Sequence, residues 1–377
     1  MHRTKPCRQA PLRTLSWFLL AVATLSCTQS PTAPAGPSAA PRAEAPPASG
    51  PLATGANKSP DGLPAIDTAQ VDSVRVAWTA ASGAQAPAWI AQEGGYFRQY
   101  GLDVDLTYIA SSTTAVQAML ADEIQFSSCA GGAVVASRVA GSDISIVMAL
   151  VNVPAFYLMA QPAVQSVEGL RGKRIAIDRR GSSQEVSGRL VLRARGLDPD
   201  RDVLWVSVGG SFLEVLASLD TGAADAAVLS PPTNLEARKR GYVELVDLAS
   251  QGYPYQGSCV MARDSYVAKH PDVVRKLVRA YADAVHRYKT DESFAIQVLQ
   301  QYTKIEDPEI QRATWHYYTT EAIPDVPYPS LPGLQTVIEE VAATNPEAAS
   351  HQLEEFVDDR FVRELDEAGY YARLYGR

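Results

Sequence analysis

The chain has 377 residues, of which 46% are hydrophobic and 20% are charged, enough apolar residues for the cores of about two ordinary domains. Its 34 basic and 42 acidic residues give a formal net charge of −8. A general nucleic-acid-binding protein is therefore excluded, because phosphate recognition needs clustered lysine and arginine. Four cysteines without a paired Cys-x-x-Cys exclude a disulfide framework and argue against a structural zinc site.

The N-terminal segment has the pattern of a secretory signal. A positively charged stretch precedes an apolar run over 15–25, which is too short for a bilayer-spanning helix of about 20 residues. The small residues before Cys27 resemble the cleavage site of a bacterial lipoprotein, although Thr24 stands where leucine is usual. We expect a signal peptide over 1–26 and lipid attachment at Cys27. The alternative is an unacylated secreted protein that is cut nearby.

The next segment, 27–70, is rich in Pro, Ala, Ser, Gly and Thr and has almost no large apolar residue to bury. This composition predicts a flexible linker. No later segment is apolar over the roughly 18 residues that a membrane-spanning helix needs. With a lipid on Cys27, the linker would hold the folded part close to an extracytoplasmic membrane surface.

From residue 71 onward, short apolar segments alternate with amphipathic helical patterns, which predicts an α/β fold with mostly parallel sheets. The predicted strands cover 74–78, 104–109, 124–129, 144–150, 155–160, 174–178, 203–208, 226–230 and 258–262.

The last third of the chain predicts helices instead. A helix over 271–288, with Pro271 in its first turn, places five apolar residues on one face: Val274, Leu277, Val278, Tyr281 and Val285. Asp291 and Asp307 are suited to cap the starts of further helices. We expect these helices to form a layer on the first sheet.

Loops that follow the predicted strands carry serines, threonines and glycines where helices begin. Free N–H groups and positive helix ends make such junctions anion-binding sites, and ligands of open α/β sheets bind beyond the carboxyl ends of strands. Plain N-capping or close packing is the alternative for any one junction. The candidate ligand-binding residues in these loops are Ser111, Ser112, Thr113, Gly131, Gly132, Arg179, Gly181, Ser182, Ser183, Gly210, Ser211 and Ser230.

Two further groups of side chains complete the candidate site. Arg179 or Arg180 would add a charge-assisted hydrogen bond to an anion. Three aromatic residues could form walls of a pocket, with core packing as the alternative: Trp78, Phe156 and Tyr255.

No catalytic or metal-binding motif occurs. The histidines lie in the leader or in the helical third, and the sequence lacks the dinucleotide, phosphate-loop and zinc-protease motifs. Cys129 and Cys259 are flanked by small residues in predicted strands, which is typical of buried apolar side chains; a disulfide between them is the alternative. We expect no enzyme, no cofactor and no metal.

Several segments, in order, resemble the substrate-binding proteins of ABC importers for sulfonates, taurine and nitrate, a family that also includes thiamine-precursor binders. The similarity runs from about residue 74 to residue 370. The segments that carry it are PAWIAQEGGYF at 87–97, YGLDV at 100–104, and the stretches 170–176, 181–183, 196–199 and 226–232.

The resemblance implies a type II periplasmic-binding-protein fold with two α/β lobes, a ligand cleft and a hinge. Lobe I would comprise 71–160 and 263–377, and lobe II 161–262. It also implies that the loops named above face the cleft. One departure concerns Arg179 and Arg180, since many relatives carry small or neutral residues there. These arginines favour an anionic ligand if either side chain points inward.

The function that the resemblance implies is that of a monomeric solute-binding lipoprotein in the periplasm or another extracytoplasmic space. It would capture a small organic anion, such as a sulfonate or taurine, and deliver it to a membrane permease driven by a separate ATPase. Three alternatives stay open: a binder of a thiamine precursor or another heterocycle, a ligand-sensing module, and an enzyme similar to the pyrimidine synthases, which consume their own histidine and bind pyridoxal phosphate.

Overall fold

The computed structural model describes residue 63 and residues 65–377. The predicted signal peptide, Cys27 and most of the predicted linker lie outside the described residues. Within the described part of the chain, no helix combines the length and the apolar character that crossing a bilayer requires.

Ten strands of the described chain form two five-stranded sheets. In chain order they are β1 (Asp72–Trp78), β2 (Leu102–Tyr108), β3 (Phe126–Ala130), β4 (Ile144–Ala149), β5 (Tyr157–Ala160), β6 (Arg174–Ile177), β7 (Leu204–Ser207), β8 (Ala226–Leu229), β9 (Val243–Asp247) and β10 (Ser258–Arg263).

The α-helices of the described residues lie between and after these strands. They are α1 (Ala86–Glu93), α2 (Tyr96–Gln99), α3 (Ser112–Leu120), α4 (Gly131–Val139), α5 (Ser183–Ala194), α6 (Phe212–Asp220), α7 (Thr233–Lys239), α8 (Asp264–Lys269), α9 (Pro271–Thr290), α10 (Glu292–Thr303), α11 (Pro308–Tyr317), α12 (Leu331–Ala342), α13 (Arg360–Glu367) and α14 (Tyr370–Leu374).

The two sheets have matching topologies. The first has the order β2-β1-β3-β10-β4 and the second the order β7-β6-β8-β5-β9. In the first, β1 is parallel to β2 and β3, and β10 is antiparallel to β3 and β4. In the second, β6 is parallel to β7 and β8, and β5 is antiparallel to β8 and β9. The antiparallel strand of each sheet is therefore the one that enters from the other sheet.

The chain crosses between the sheets twice, between β4 and β5 and again between β9 and β10. The boundaries predicted from the sequence, 160/161 and 262/263, assign β5 and β10 to the opposite sheets from the ones in which they pair. The observed pairing moves both crossings toward the N-terminus, because each strand adds to its new sheet directly after the crossing. We call the first sheet with its helices the first lobe and the second sheet with its helices the second lobe.

The C-terminal helices cover the first sheet, as predicted. Helix α9 packs on α1, α2 and β2, and the five apolar residues predicted for its inner face are all buried. Asp291 caps α10 and Asp307 caps α11 through their carboxylates, which confirms both predicted helix starts.

Candidate ligand cleft

A cavity lies between the two lobes, with a free volume of about 50 Å³. The first lobe contributes residues that follow β1 and begin α3, and the second lobe contributes residues that follow β6 and β8 or begin α5 and α6. The two crossing segments form part of the wall. We call this cavity the cleft; its lining includes Thr79, Ser82, Gln85, Tyr108, Ser111, Ser112, Val153, Phe156, Asp178, Ser182, Ser183, Gln184, Gly210, Ser211, Phe212, Ser230, Ser258 and Tyr318.

Eight of the residues predicted from the sequence line this cleft. They come from both lobes and from the first crossing, and they are Ser111, Ser112, Phe156, Ser182, Ser183, Gly210, Ser211 and Ser230. Their convergence follows from the topology, since the carboxyl ends of β1, β6 and β8 and the helix starts beside them face the same space.

Other predicted residues serve packing instead. Trp78 packs edge-on against Trp89, with ring centroids 5.2 Å apart, and Tyr255 is completely buried. A Cβ on Gly131 would lie 2.7 Å from the carbonyl oxygen of Gln256, so this glycine permits close backbone contact. The alternative of core packing therefore applies at these positions.

Gly132 and Thr113 also lie outside the cleft lining. A Cβ on Gly132 would meet only the side chains of Val337 and Val186 at van der Waals distance. The hydroxyl of Thr113 lies 2.8 Å from that of Ser111, so Thr113 contacts the cleft residue Ser111 and does not line the cleft itself.

The two arginines do not line the cleft either. Nη2 of Arg179 donates to the carbonyl of Gly209 at 3.3 Å, and Nη1 of Arg180 donates to Glu185 at 2.6 Å. Gly181 adopts a φ of +74° and donates its N–H to the same carboxylate at 2.7 Å. The arginine contact that favoured an anionic ligand is therefore absent from this geometry.

The first-lobe wall is a network of hydroxyls at the end of β1 and the start of α3. The hydroxyl of Thr79 donates to the carbonyl of Ser128 at 3.1 Å and lies 3.3 Å from that of Ser112. The hydroxyl of Ser112 accepts from the N–H of Ala130 at 3.0 Å. No side chain caps α3, so the N–H groups of its first turn lack a side-chain acceptor and its positive end is not neutralised.

Ser111, the residue before α3, has a φ of +78°. A non-glycine residue rarely adopts this angle, and the strain costs about 1–3 kcal/mol. The rest of the first-lobe wall must therefore hold it in place, which directs attention to this loop as a functional element.

The helix starts of the second-lobe wall combine a serine with a glutamate carboxylate three residues later. The hydroxyl of Ser182 accepts from the N–H of Glu185 at 3.4 Å, and Glu185 in turn accepts from Gly181. Glu214 accepts from the N–H of Ser211 at the start of α6. A Cβ on Gly210 would collide with the Glu214 carboxylate, so glycine is required there for this cap.

Asp178, directly after β6, has the one charged side chain among the described residues that line the cleft. One of its oxygens accepts from the N–H of Arg179 at 2.7 Å, and its own N–H donates to Gln184. Burial raises its pKa above the usual value, although hydrogen bonds from Ser182 and from backbone N–H groups act in the other direction. Sequence reasoning gave Asp178 no role; its position at the carboxyl end of a buried strand was the available signal.

The lobes touch each other behind the cleft and at its rim. The hydroxyl of Ser82, in the first lobe, accepts from that of Ser230, in the second lobe, at 3.0 Å and lies 2.8 Å from that of Tyr318 of its own lobe. The N–H of Gly83 donates to the carbonyl of Pro231 at 3.2 Å. Among the described residues, ion pairs also join the lobes: Arg193 pairs with Glu340, and Lys239 pairs with Asp307 and Glu309. The two lobes are thus in direct contact around the cleft.

The described residues hold no cluster of side chains that could bind a metal ion. Cys129 and Cys259 are both buried, as predicted, and lie opposite each other on β3 and β10 with their sulfurs 3.6 Å apart. Burial raises the pKa of the Cys129 thiol well above its usual value.

A family model described as NMT1/THI5 like matches residues 83–291, which is more than half of the chain. The chain belongs to this family. The match includes the second lobe and part of the first, and it confirms the resemblance inferred from the sequence segments.

Curated relatives of the chain are named as binding proteins. A binding protein of Brucella abortus is 24% identical over 254 residues, which is 66% of this chain and 77% of that protein. A Bacillus subtilis protein named for binding aliphatic sulfonates is 25% identical over 208 residues, covering 53% of this chain and 61% of that protein. The riboflavin-binding protein RibY of Chloroflexus aurantiacus is 25% identical over 199 residues, covering 52% and 56%.

Solved structures confirm the predicted fold. The alkanesulfonate-binding protein SsuA of Xanthomonas axonopodis pv. citri, bound to MOPS, aligns with a TM-score of 0.66 at 17% identity, over 77% of this chain and 99% of that one. The periplasmic nitrate-binding protein NrtA of Synechocystis PCC 6803 aligns with a TM-score of 0.64 at 14% identity, over 79% and 88%. The chain therefore has the periplasmic-binding-protein fold.

Proposed function

We propose that this protein is the solute receptor of an ABC importer. It binds a small polar organic solute between its lobes and delivers it to a membrane permease driven by a separate ATPase. The observation that carries the proposal is the single cleft to which both sheets contribute hydroxyls and helix starts. The names of the relatives as binding proteins support it.

Ligand binding drives closure only if the solute contacts both lobes, since equal contacts in the open and closed states shift no equilibrium. Ser111 and Ser112 provide contacts from the first lobe, and Ser182 and Ser183 from the second. Phe156, with Tyr108 and Phe212 beside it, covers the carbon part of the solute. Because ligand pockets commonly measure about 300–1,000 Å³, the lobes must separate before a larger solute enters.

The acceptor end of the solute is a sulfonate, a carboxylate or a ring carbonyl held at the first turn of α3. The free N–H groups and the positive end of α3 favour such a group. One relative is named for binding sulfonates and another for binding riboflavin, which supports either a sulfonate or a heterocycle as the ligand. The cleft lining among the described residues contains neither histidine nor lysine, so the side chains on which a pyrimidine-synthase reaction depends are not at hand.

The extracytoplasmic location and the lipid anchor belong to the same proposal. A receptor that serves a membrane permease gains from a lipid on Cys27, and the linker composition over 27–70 supports a tethered receptor. We expect Cys27→Ala to move the protein from the membrane fraction to the soluble fraction of expressing cells; unchanged fractionation would contradict the anchor.

The test of solute binding is a thermal-shift screen followed by isothermal titration calorimetry. The panel contains taurine, alkanesulfonates, nitrate, aromatic carboxylates, pyrimidines and flavins. A specific solute at about 100 times its Kd stabilises the protein by about 2.7 kcal/mol. Ser183→Phe fills the cleft and should abolish the shift, whereas Ser293→Phe, on the exposed start of α10, should leave it intact. Failure of every solute to stabilise the wild type would overturn the proposal.

A further inference from the structure

The charges around the cleft are distributed unevenly between its two walls. The described lining contains one carboxylate, Asp178, and no lysine, arginine or histidine. Asp178 forms no ion pair within the described chain, and the nearby Arg179 acts on it only over a longer distance. A carboxylate that is withdrawn from water without a cation costs free energy. A ligand that supplies an N–H donor removes this cost.

A second carboxylate adds to the negative potential of the same wall. Glu214 caps α6 through the N–H of Ser211 and has no cationic partner among the described residues. Tyr108, from the first lobe, lies close enough to Asp178 and Glu214 for both to raise the pKa of its hydroxyl, with burial as the larger cause. Glu185, in contrast, is neutralised by Arg180 and Arg189. An anionic group placed beside Asp178 would therefore be repelled.

The opposite wall favours the opposite kind of group. Helix α3 begins there without a side-chain cap, and its free first-turn N–H groups and positive helix end favour a negative or acceptor group of a ligand. A solute with an acceptor at one end and a donor at the other satisfies both walls in one orientation only.

We infer that the bound solute carries an N–H donor, as an ammonium, an amidine or a ring amino group, and that the Asp178 carboxylate recognises this donor from the second lobe. This inference rests on the proposed solute-binding function and names the class of its ligand. Asp178 acts as the residue that selects donor-bearing solutes over otherwise similar anions. The first turn of α3 holds the acceptor end, so the two contacts together close the lobes.

The experiment compares matched solutes that differ in the amino group alone. One pair is taurine and 2-hydroxyethanesulfonate, and the other is 4-aminopyrimidine and 4-methylpyrimidine; the pairs distinguish an aminosulfonate from an aminoheterocycle. Calorimetry measures Kd for wild type, Asp178→Asn and Asp198→Asn. Asparagine still accepts the N–H of Arg179, so the turn is kept while the charge is lost. Asp198 accepts the N–H of Asp200 in a turn before β7, at the far end of the sheet.

We expect the wild type to bind the amino member of one pair about tenfold more tightly or better, the ratio that one hydrogen bond to a charged group provides. Asp178→Asn should bring the ratio close to one, and Asp198→Asn should keep it. Equal or tighter binding of the amino-free member, or an unchanged ratio in Asp178→Asn, would overturn the inference.

If the wild type binds neither pair, the same comparison of wild type with Asp178→Asn is made with the solutes that the thermal-shift screen identifies. Ligands that carry N–H donors and lose affinity in Asp178→Asn support the inference, whereas ligands without such donors overturn it and leave the proposed function standing. A screen without any ligand overturns the proposed function first and this inference with it. Circular dichroism and the melting temperature of each variant show whether a loss of binding reflects unfolding.

Discussion

The two walls of the cleft are built from the same kind of element but differ in how their helix starts are satisfied. In the first lobe, α3 begins at a strained serine and has no side-chain cap. In the second lobe, α5 and α6 begin with serines whose caps are completed by Glu185 and Glu214. Each wall can donate backbone N–H groups, yet only the second wall places glutamate carboxylates beside its helix starts.

An α/β junction rich in serine is therefore not by itself an anion site. A glutamate three residues into the helix accepts the N–H of the N-cap residue or of the residue before it, and its carboxylate makes the wall neutral or negative. The comparison predicts which substitutions destabilise the fold and which change ligand recognition.

The largest effect on stability is expected at Glu185. Its buried carboxylate accepts from Arg189 at 3.1 Å, from Arg180 at 2.6 Å and from the N–H of Gly181 at 2.7 Å. Glu185→Ala leaves Arg189 with the exposed Asp200 alone, and removing one partner of a buried ion pair costs about 3 kcal/mol or more. Urea unfolding at neutral pH measures the loss.

The matched variant in the first lobe is Ser112→Ala. It removes the hydroxyl that accepts from Ala130, for which we expect a cost of about 1 kcal/mol. Equal losses of unfolding free energy in Glu185→Ala and Ser112→Ala would show that the carboxylate of the second wall contributes no more to stability than the hydroxyl of the first.

The next effect concerns Asp178 and pH. Burial raises its pKa, so the folded state binds a proton more readily than the unfolded state, and the ionised side chain destabilises the protein at neutral pH. Asp178→Asn should therefore raise the melting temperature at pH 7, and the difference should shrink as the pH falls through the raised pKa. Scanning calorimetry of the two proteins between pH 4 and pH 7 measures this.

Protonation of Asp178 should weaken ligand binding, although it stabilises the fold. For an amino-bearing solute the wild-type affinity falls as Asp178 becomes protonated, and this fall begins at a higher pH than for an ordinary aspartate. Glu214 and Arg179 act, together with Asp178, on the hydroxyl of the cleft residue Tyr108, so Glu214→Gln serves as the control for a general charge effect. A melting temperature that falls in Asp178→Asn at pH 7 would contradict the raised pKa.

Much of the fold could be predicted from the sequence because its strands are short apolar segments. All nine predicted strands exist. The missed strand, β9, has the sequence VELVD and lies at an edge of the second sheet. An edge strand pairs along one side only, and charged side chains are tolerated there. The predicted positions of the two crossings were wrong because the sequence of a buried strand, such as β5 or β10, does not show which of the two sheets it joins.

The candidate site was predictable only in part. Serines at helix starts located the cleft, since topology alone brings the ends of β1, β6 and β8 together. Whether a side chain enters the cleft depends on tertiary partners that no local pattern encodes. The Arg180 side chain pairs with Glu185 and does not enter the cleft. Gly131 permits the close approach of the Gln256 backbone. Among the described residues that line the cleft, Asp178 has the one charged side chain.

A smaller effect is expected from relieving the strain at Ser111. Glycine adopts positive φ without a Cβ penalty, so Ser111→Gly should stabilise the unliganded protein by about 1 kcal/mol. The same change removes a cleft hydroxyl and loosens the start of α3, so ligand affinity should fall. Ser250→Gly, at an exposed position without positive φ, should slightly destabilise the protein. A destabilised Ser111→Gly variant would mean that the hydroxyl matters more to the fold than the strain.

The smallest effect concerns the ion pair that joins the lobes outside the cleft. Arg193 on α5 contacts Glu340 on α12, and burial raises the pKa of Glu340 although Arg193 opposes the shift. Because a partly exposed ion pair contributes about 1 kcal/mol or less, Glu340→Gln should favour the open form modestly and raise the solute Kd about two- to fivefold. Small-angle X-ray scattering of the unliganded protein should show a slightly larger radius of gyration.

Glu339 provides the matched control, because it is exposed and its carboxylate accepts from Gln335 on the same helix. Glu339→Gln should change neither the Kd nor the radius. If Glu340→Gln and Glu339→Gln behave alike, the Arg193–Glu340 pair contributes nothing to closure, and the other contacts between the lobes, which include Ser230 with Ser82 and Lys239 with Asp307, hold the lobes together in the absence of solute.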